Sequence, residues 1–147
     1  MAMALLIKIR GMDFPLDRKY YIENGAHIWL KPEGDIIKIG LDAFAAEMAG
    51  SINFLNVNKG RVNRSKAFGS FESSKFVNKL YSPVSGKIIE VNDKVLINPR
   101  TINDNPYNSW IVSIKIENKD YESKYIIEDK DEILKWINKE IKKTKVD

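Results

Sequence analysis

Between residues 26 and 116 the apolar stretches are short, and turn residues interrupt them repeatedly: PEGD at 32–35, NKG at 58–60, SPVSG at 82–86, NPR at 98–100 and NPY at 105–107. Proline and glycine preset or permit the backbone angles that turns need. This spacing therefore predicts a succession of short strands. Residues 26–40 read as two strands around PEGD, 52–57 (INFLNV) as a third, and 86–93 (GKIIEVND) as a strand ending in a turn. SWIVSIKIEN alternates, with Trp110, Val112, Ile114 and Ile116 on one face and Ile111, Ser113, Lys115 and Glu117 on the other. KVLINPRTINDNPYN, with prolines at 99 and 106, reads as irregular, and NPYNSW as a turn anchoring Trp110 in the core.

Two helices are expected. LDAFAAEMAG (41–50) is alanine-rich, with Asp42 near its start and Gly50 as a stop. In EDKDEILKWINKEIKK, Ile133, Leu134, Ile137 and Ile141 recur at helical spacing, with Asp129 or Asp131 available as a cap. The fold class that follows is mainly β: a compact sandwich or flattened barrel with a short internal helix and a C-terminal helix.

At 147 residues the chain suits one domain with a real core. No apolar run approaches the length of a membrane span. MAMALLI, followed by KIRGMD, is too short for a signal sequence and lacks a basic segment before it. A short terminal strand or a cloning remnant accounts for it, and a cytoplasmic protein is expected. There is no cysteine, which excludes disulfides, thiolate metal ligands and a cysteine nucleophile. Any thiol chemistry must come from an attached group. One histidine excludes a histidine-rich metal site. The net charge is +4, partly from the tail NKEIKKTKVD, with four lysines against two acids. A solvated helix end explains that tail, where lysines also suit the helix dipole. With no arginine-rich stripe and no aromatics alternating with basic residues, nucleic-acid binding is not expected.

A catalytic site is hard to assemble. His27, beside Ile28 and Trp29, reads as a satisfied, part-buried histidine. The acids form no paired constellation, and the glycines form no phosphate-binding loop. Lys75 stands apart. RVNRSKAFGSFESS and FVNKLYSPV are two extended segments with Lys75 between them, so it belongs at or near a hairpin tip. Pro83 excludes a long central strand there. A Schiff-base lysine would need a desolvated pocket, which a serine-rich tip does not offer. A plain surface lysine and a lysine acylated as a tether both remain open on the residues alone.

The segment ESSKFVNKLYSPVSG resembles the lipoylation segment of the glycine cleavage system H protein family. There the pattern reads approximately E-S-V-K, five residues, an aromatic or similar residue, then S/A-P-V/I-S-G. Glu72, Ser73, Lys75, Pro83, Ser85 and Gly86 fall in register, with Ser74 beside the lysine. HIWL, IGLDAFAAEMAG and INDNPYNSWIVSIKI resemble further family segments in the same order. The biotin-carrier relatives set their lysine between methionines, which SSKF does not match. The resemblance implies a lipoyl/biotinyl-type barrel-sandwich hybrid as a single carrier domain. Within it, 1–24 would be an N-terminal extension, 25–122 the core, and 123–147 the C-terminal helix and basic tail. It implies lipoate amide-linked to Lys75, no active site of its own, and a lipoate ligase or lipoyltransferase as a partner. Glycine decarboxylase, aminomethyltransferase and dihydrolipoyl dehydrogenase would be the enzymes visited.

The family's cleft for a loaded aminomethyl arm is not reproduced. Where the family has a serine and a glutamate flanking its histidine, Ala26 and Ile28 flank His27. Where it has an aspartate four residues after the lysine, Lys79 stands. A charge-assisted hydrogen bond contributes about 1.5–3 kcal/mol, so losing two carboxylates weakens retention of a cation. Lys79 adds repulsion. Ala26, His27, Ile28 and Lys79 are thus the candidates for an arm cleft suited to an uncharged or anionic cargo. This favours an alternative: an H-like lipoate-binding protein carrying sulfur intermediates to a heterodisulfide-reductase-like complex. An H-like relay of lipoyl groups to other carriers is a third reading, and an unmodified β-domain for protein binding is the alternative from another class. The basic charge also departs from the usually acidic H proteins.

Overall fold

The computed structural model describes residues 5–117 and 123–144. The first four residues of the apolar start, the expected boundary at 118–122 and the end of the basic tail at 145–147 lie outside the described residues. The chain opens with a hairpin of β1 (Leu6–Ile9) and β2 (Met12–Pro15). Then come β3 (Lys19–Tyr21), a helical turn at Glu23–Gly25, β4 (Ile28–Glu33), β5 (Ile36–Leu41) and α1 (Ala43–Ala49). β6 (Ile52–Val57), β7 (Arg61–Val62), β8 (Ala67–Ser73), β9 (Val77–Tyr81) and β10 (Gly86–Val91) follow. Two short helices, α2 (Asp93–Ile97) and α3 (Thr101–Asp104), lead to β11 (Val112–Ile116), β12 (Ile126–Ile127) and α4 (Lys130–Thr144).

Seven strands form one antiparallel sheet in the order β12-β3-β4-β5-β11-β10-β7, and three form a second in the order β6-β8-β9. The larger sheet takes β3 from the expected N-terminal extension and β12 from the expected C-terminal segment. The two sheets face each other across a core in which Leu30, Ile37, Ile39 and Ile114 meet Ile52, Leu55, Phe71 and Leu80. Each fully buried side chain of this kind contributes roughly 1.5–3 kcal/mol. Successive strand residues point to opposite faces, so Trp29 and Tyr20 enter a second cluster. There Ile133, Ile137 and Ile141 of α4 and Phe14 of β2 cover the outer face of the sheet. Asp129 starts α4, its carboxylate accepting from the backbone N–H groups of Asp131 and Glu132 at 3.0 and 3.2 Å.

Two sequence expectations need correction. The 94–108 segment holds most of α2 and all of α3, and GKIIEVND runs from β10 directly into α2. The prolines bracket α3 instead of breaking it: Pro99 precedes its start, where no helical N–H is needed, and Pro106 follows its end. The expected alternation holds in β11, with Val112, Ile114 and Ile116 buried and Lys115 exposed, and Ile111 and Ser113 are buried as well. The NPY turn anchors a different tryptophan: Trp29 Nε1 donates to Pro106 O at 3.1 Å. Trp110 is half-buried, with Lys38 Nζ 5.1 Å from its ring centroid.

Candidate carrier site

β8 and β9 pair with Glu72 opposite Val77, which leaves residues 73–76 as a tight turn carrying Lys75. Ser73 builds the turn. Its N–H donates to Phe76 O at 2.9 Å, and its Oγ accepts from the N–H of Lys75 (3.3 Å) and of Phe76 (3.2 Å). The hydroxyl in turn donates to Phe76 O at 3.1 Å. Ser74 N–H donates to Ser51 O at 2.9 Å, pinning the tip to the turn that follows α1. There Gly50 has φ 69 and ψ −151, a region open essentially to glycine alone. A Cβ on Gly50 would stand 2.7 Å from Ser74 Oγ and 3.6 Å from Lys75 Cε. Asn103 of α3 braces the same turn from below. Its Nδ2 donates to Gly50 O (2.6 Å) and Ala46 O (3.2 Å), while its Oδ1 accepts from Ile52 N–H (2.9 Å). Lys75 is exposed on this braced tip and forms no ion pair among the described residues.

The remaining motif residues are structural. Glu72 is exposed on β8. Pro83 is buried just past the end of β9, and Ser85 Oγ accepts from Arg64 N–H at 3.0 Å. Gly86 starts β10 against β11, where a Cβ would lie 2.2 Å from Lys115 O. The motif thus divides into a display turn at 72–76 and a packed bend at 82–86.

A cleft of about 280 Å³ opens beside β9, and its lining includes Ala26, His27, Ile28 and Lys79. The four residues flagged by sequence are therefore brought together. Phe44, Phe71 and Phe76 give it aromatic walls, and α4 adds Glu140 and Lys143. Sequence reasoning missed these two, and also Gly50 and Asn103. Glu140 had a readable signal. It lies seven residues after Ile133 and one before Ile141, on the buried stripe of α4, where an acid requires a partner.

That partner is His27. Its Nδ1 lies 3.2 Å from Asp42 Oδ2 and its Nε2 lies 2.8 Å from Glu140 Oε1. The ring stacks between Phe44, at 4.4 Å, and Trp136, at 4.7 Å. Burial works against ionising His27, but the two flanking carboxylates outweigh it and raise its pKa to about 9. The hydrogen bond from His27, helped by Lys143 and opposed by burial, lowers Glu140 to about 2. Asp42 also caps α1, its Oδ1 accepting from Ala45 N–H at 2.9 Å. Both nitrogens of His27 are engaged, so it is a clamp holding α4 and α1 to the start of β4 and has no lone pair free to take a proton from a substrate.

A seven-stranded and a three-stranded sheet around one core, with helices added, define a barrel-sandwich hybrid of the lipoyl/biotinyl type. Residues 18–140 match the family model described as glycine cleavage H-protein. Among curated relatives, the probable glycine cleavage system H protein 3 of Sulfurisphaera tokodaii is 39% identical over 111 residues, 74% of this chain and 80% of that one. Glycine cleavage system H protein 5 of Aquifex aeolicus is 37% identical over 84% of this chain and 86% of its own. Among solved structures, a glycine cleavage system H protein from Mycobacterium marinum superposes with a TM-score of 0.63 at 30% identity. It covers 70% of this chain and 86% of its own. The chain belongs to the glycine cleavage H-protein family.

Proposed function

We propose that this protein is a non-catalytic lipoyl carrier, with lipoate amide-linked to Lys75, that moves a covalently held group between partner enzymes in the cytoplasm. When bound, lipoate would supply the two redox-active sulfurs that this cysteine-free chain lacks. The observation that carries the reading is an exposed lysine, without an ion pair among the described residues, on a turn built by Ser73 and pinned to Ser51 beside a cleft with apolar walls. The residues fit the group. The turn presents the Lys75 amine to an attaching enzyme, and Phe71, Phe76 and Ala26 offer an apolar wall to an eight-carbon chain. Family membership supports a lipoate ligase or lipoyltransferase as the loading partner. It also supports glycine decarboxylase, aminomethyltransferase and dihydrolipoyl dehydrogenase as the enzymes served.

A second reading has its own support: a carrier of sulfur intermediates for a heterodisulfide-reductase-like complex. Ala26, Ile28 and Lys79 line the cleft and offer a cationic cargo no acceptor side chain. The carrier reading is tested with purified lipoylated protein, dihydrolipoyl dehydrogenase and NADH. NADH is consumed with the wild type and not with Lys75→Ala. Equal consumption with both would overturn it.

A further inference from the structure

The charges around the cleft point one way. Lys79 enters from β9 and Lys143 from α4, with the imidazole of His27 at the base. Against these stand Glu140, which lines the cleft, and Asp42 behind His27, and both already have partners. Asp42 faces His27 and Ala45 N–H. Glu140 gives one oxygen to His27 Nε2 at 2.8 Å and the other to Lys143 Nζ at 2.9 Å. Lys79 is exposed and forms no ion pair among the described residues. An ammonium entering here would meet Lys79, and the carboxylate that lines the cleft, Glu140, already has both oxygens engaged. An anion would meet the three donors of Lys79 and the donors that Lys143 has to spare. The apolar walls sharpen the choice, since charge–charge terms strengthen as water is excluded.

We infer that this cleft receives an arm whose free end is negatively charged, with Lys79 and Lys143 as its specificity-determining residues. The inference rests on the carrier reading and names the class of cargo that the arm would bring. Lys79 lies on β9, four residues after Lys75 in the turn, a span of at most about 13 Å even at full strand rise. A lysyl stem lengthened by an eight-carbon acid can fold back over that span. Phe76, adjacent to Lys75, lines the cleft at its near end.

The test uses the lipoylated chain reduced to its dithiol and alkylated in three ways. Iodoacetate leaves an anionic carboxymethyl end, iodoacetamide a neutral one, and 2-bromoethylamine a cationic aminoethyl one. In each case sulfur displaces the halide from carbon, and the thiol proton passes to buffer. With no cysteine in the chain, the thiol chemistry is confined to the arm. Docking is read from backbone amide shifts of Ala26, Phe44 and Asn78 in ¹⁵N-labelled protein. The carboxymethyl arm should shift these amides most, with a shift that shrinks as salt is added. The aminoethyl arm should leave them as in the unlipoylated chain, and Lys79→Asp should reverse the order. Shifts as large from the aminoethyl arm as from the carboxymethyl arm, or an order unchanged in Lys79→Asp, would overturn the inference. Intact mass before alkylation separates the two failures. Absence of the lipoyl group sinks the carrier reading and this inference together, whereas its presence with the wrong order sinks this inference alone.

Discussion

His27 is the residue on which the most structure converges. The sequence showed a lone histidine among apolar neighbours, and a satisfied histidine was the correct reading. Its partners were not legible, because Asp42, 15 positions away, comes beside it only through the pairing of β4 with β5, and Glu140, 113 positions away, only when α4 docks. The clamp makes stability depend on pH with a definite sign. The folded pKa of about 9 lies above the unfolded value of 6.5. The ion-pair contribution is therefore complete below pH 6.5 and lost as pH rises through 9. Thermal unfolding followed by tryptophan fluorescence should show stability falling over that window, and Glu140→Gln should weaken the fall. His27→Ala should remove it and cost about 3–5 kcal/mol, because Asp42 would be left buried without its cation. A pH profile in His27→Ala identical to that of the wild type would contradict the assignment.

Among the elements, the ones with local signals were read well. Asp42 and Gly50 delimit α1 as expected, and the 52–57 strand is β6. The hairpin carrying Lys75 followed from two extended runs around a serine-rich turn. What holds that hairpin in place was not legible: its tip rests through Ser74 on the turn after α1, and Asn103 braces that turn from more than 50 residues away through α3, a helix hidden behind its flanking prolines. The alternation of β11 was legible: Val112, Ile114 and Ile116 enter the core and Lys115 is exposed, while Ser113 on the opposite face is buried as well. The bracing yields a prediction for the element. Gly50→Ala places a Cβ in the glycine-only region and against Ser74. It should cost about 1–3 kcal/mol in denaturant unfolding and should slow attachment of lipoate at Lys75. Unchanged stability and attachment rate would show that the turn does not rest on Gly50.

For the whole molecule, the two clusters divide the labour. The inner one joins the sheets, and the outer one seats α4 so that Glu140 and Lys143 reach the cleft. The family pattern and the fold class were legible in the sequence, because the display turn and the packed bend both leave motif residues behind. The charge of the cleft was legible only from the hairpin side, through Lys79. Its other half comes from α4, whose docking no local pattern specifies. The account stands or falls on Lys75 as a tether. Intact mass after incubation with a lipoate ligase, lipoate and ATP tests it most directly. The wild type should gain the mass of one lipoyl group, located at Lys75 by peptide mapping, and Lys75→Ala should gain none. No gain in the wild type, or an equal gain in Lys75→Ala, would contradict it.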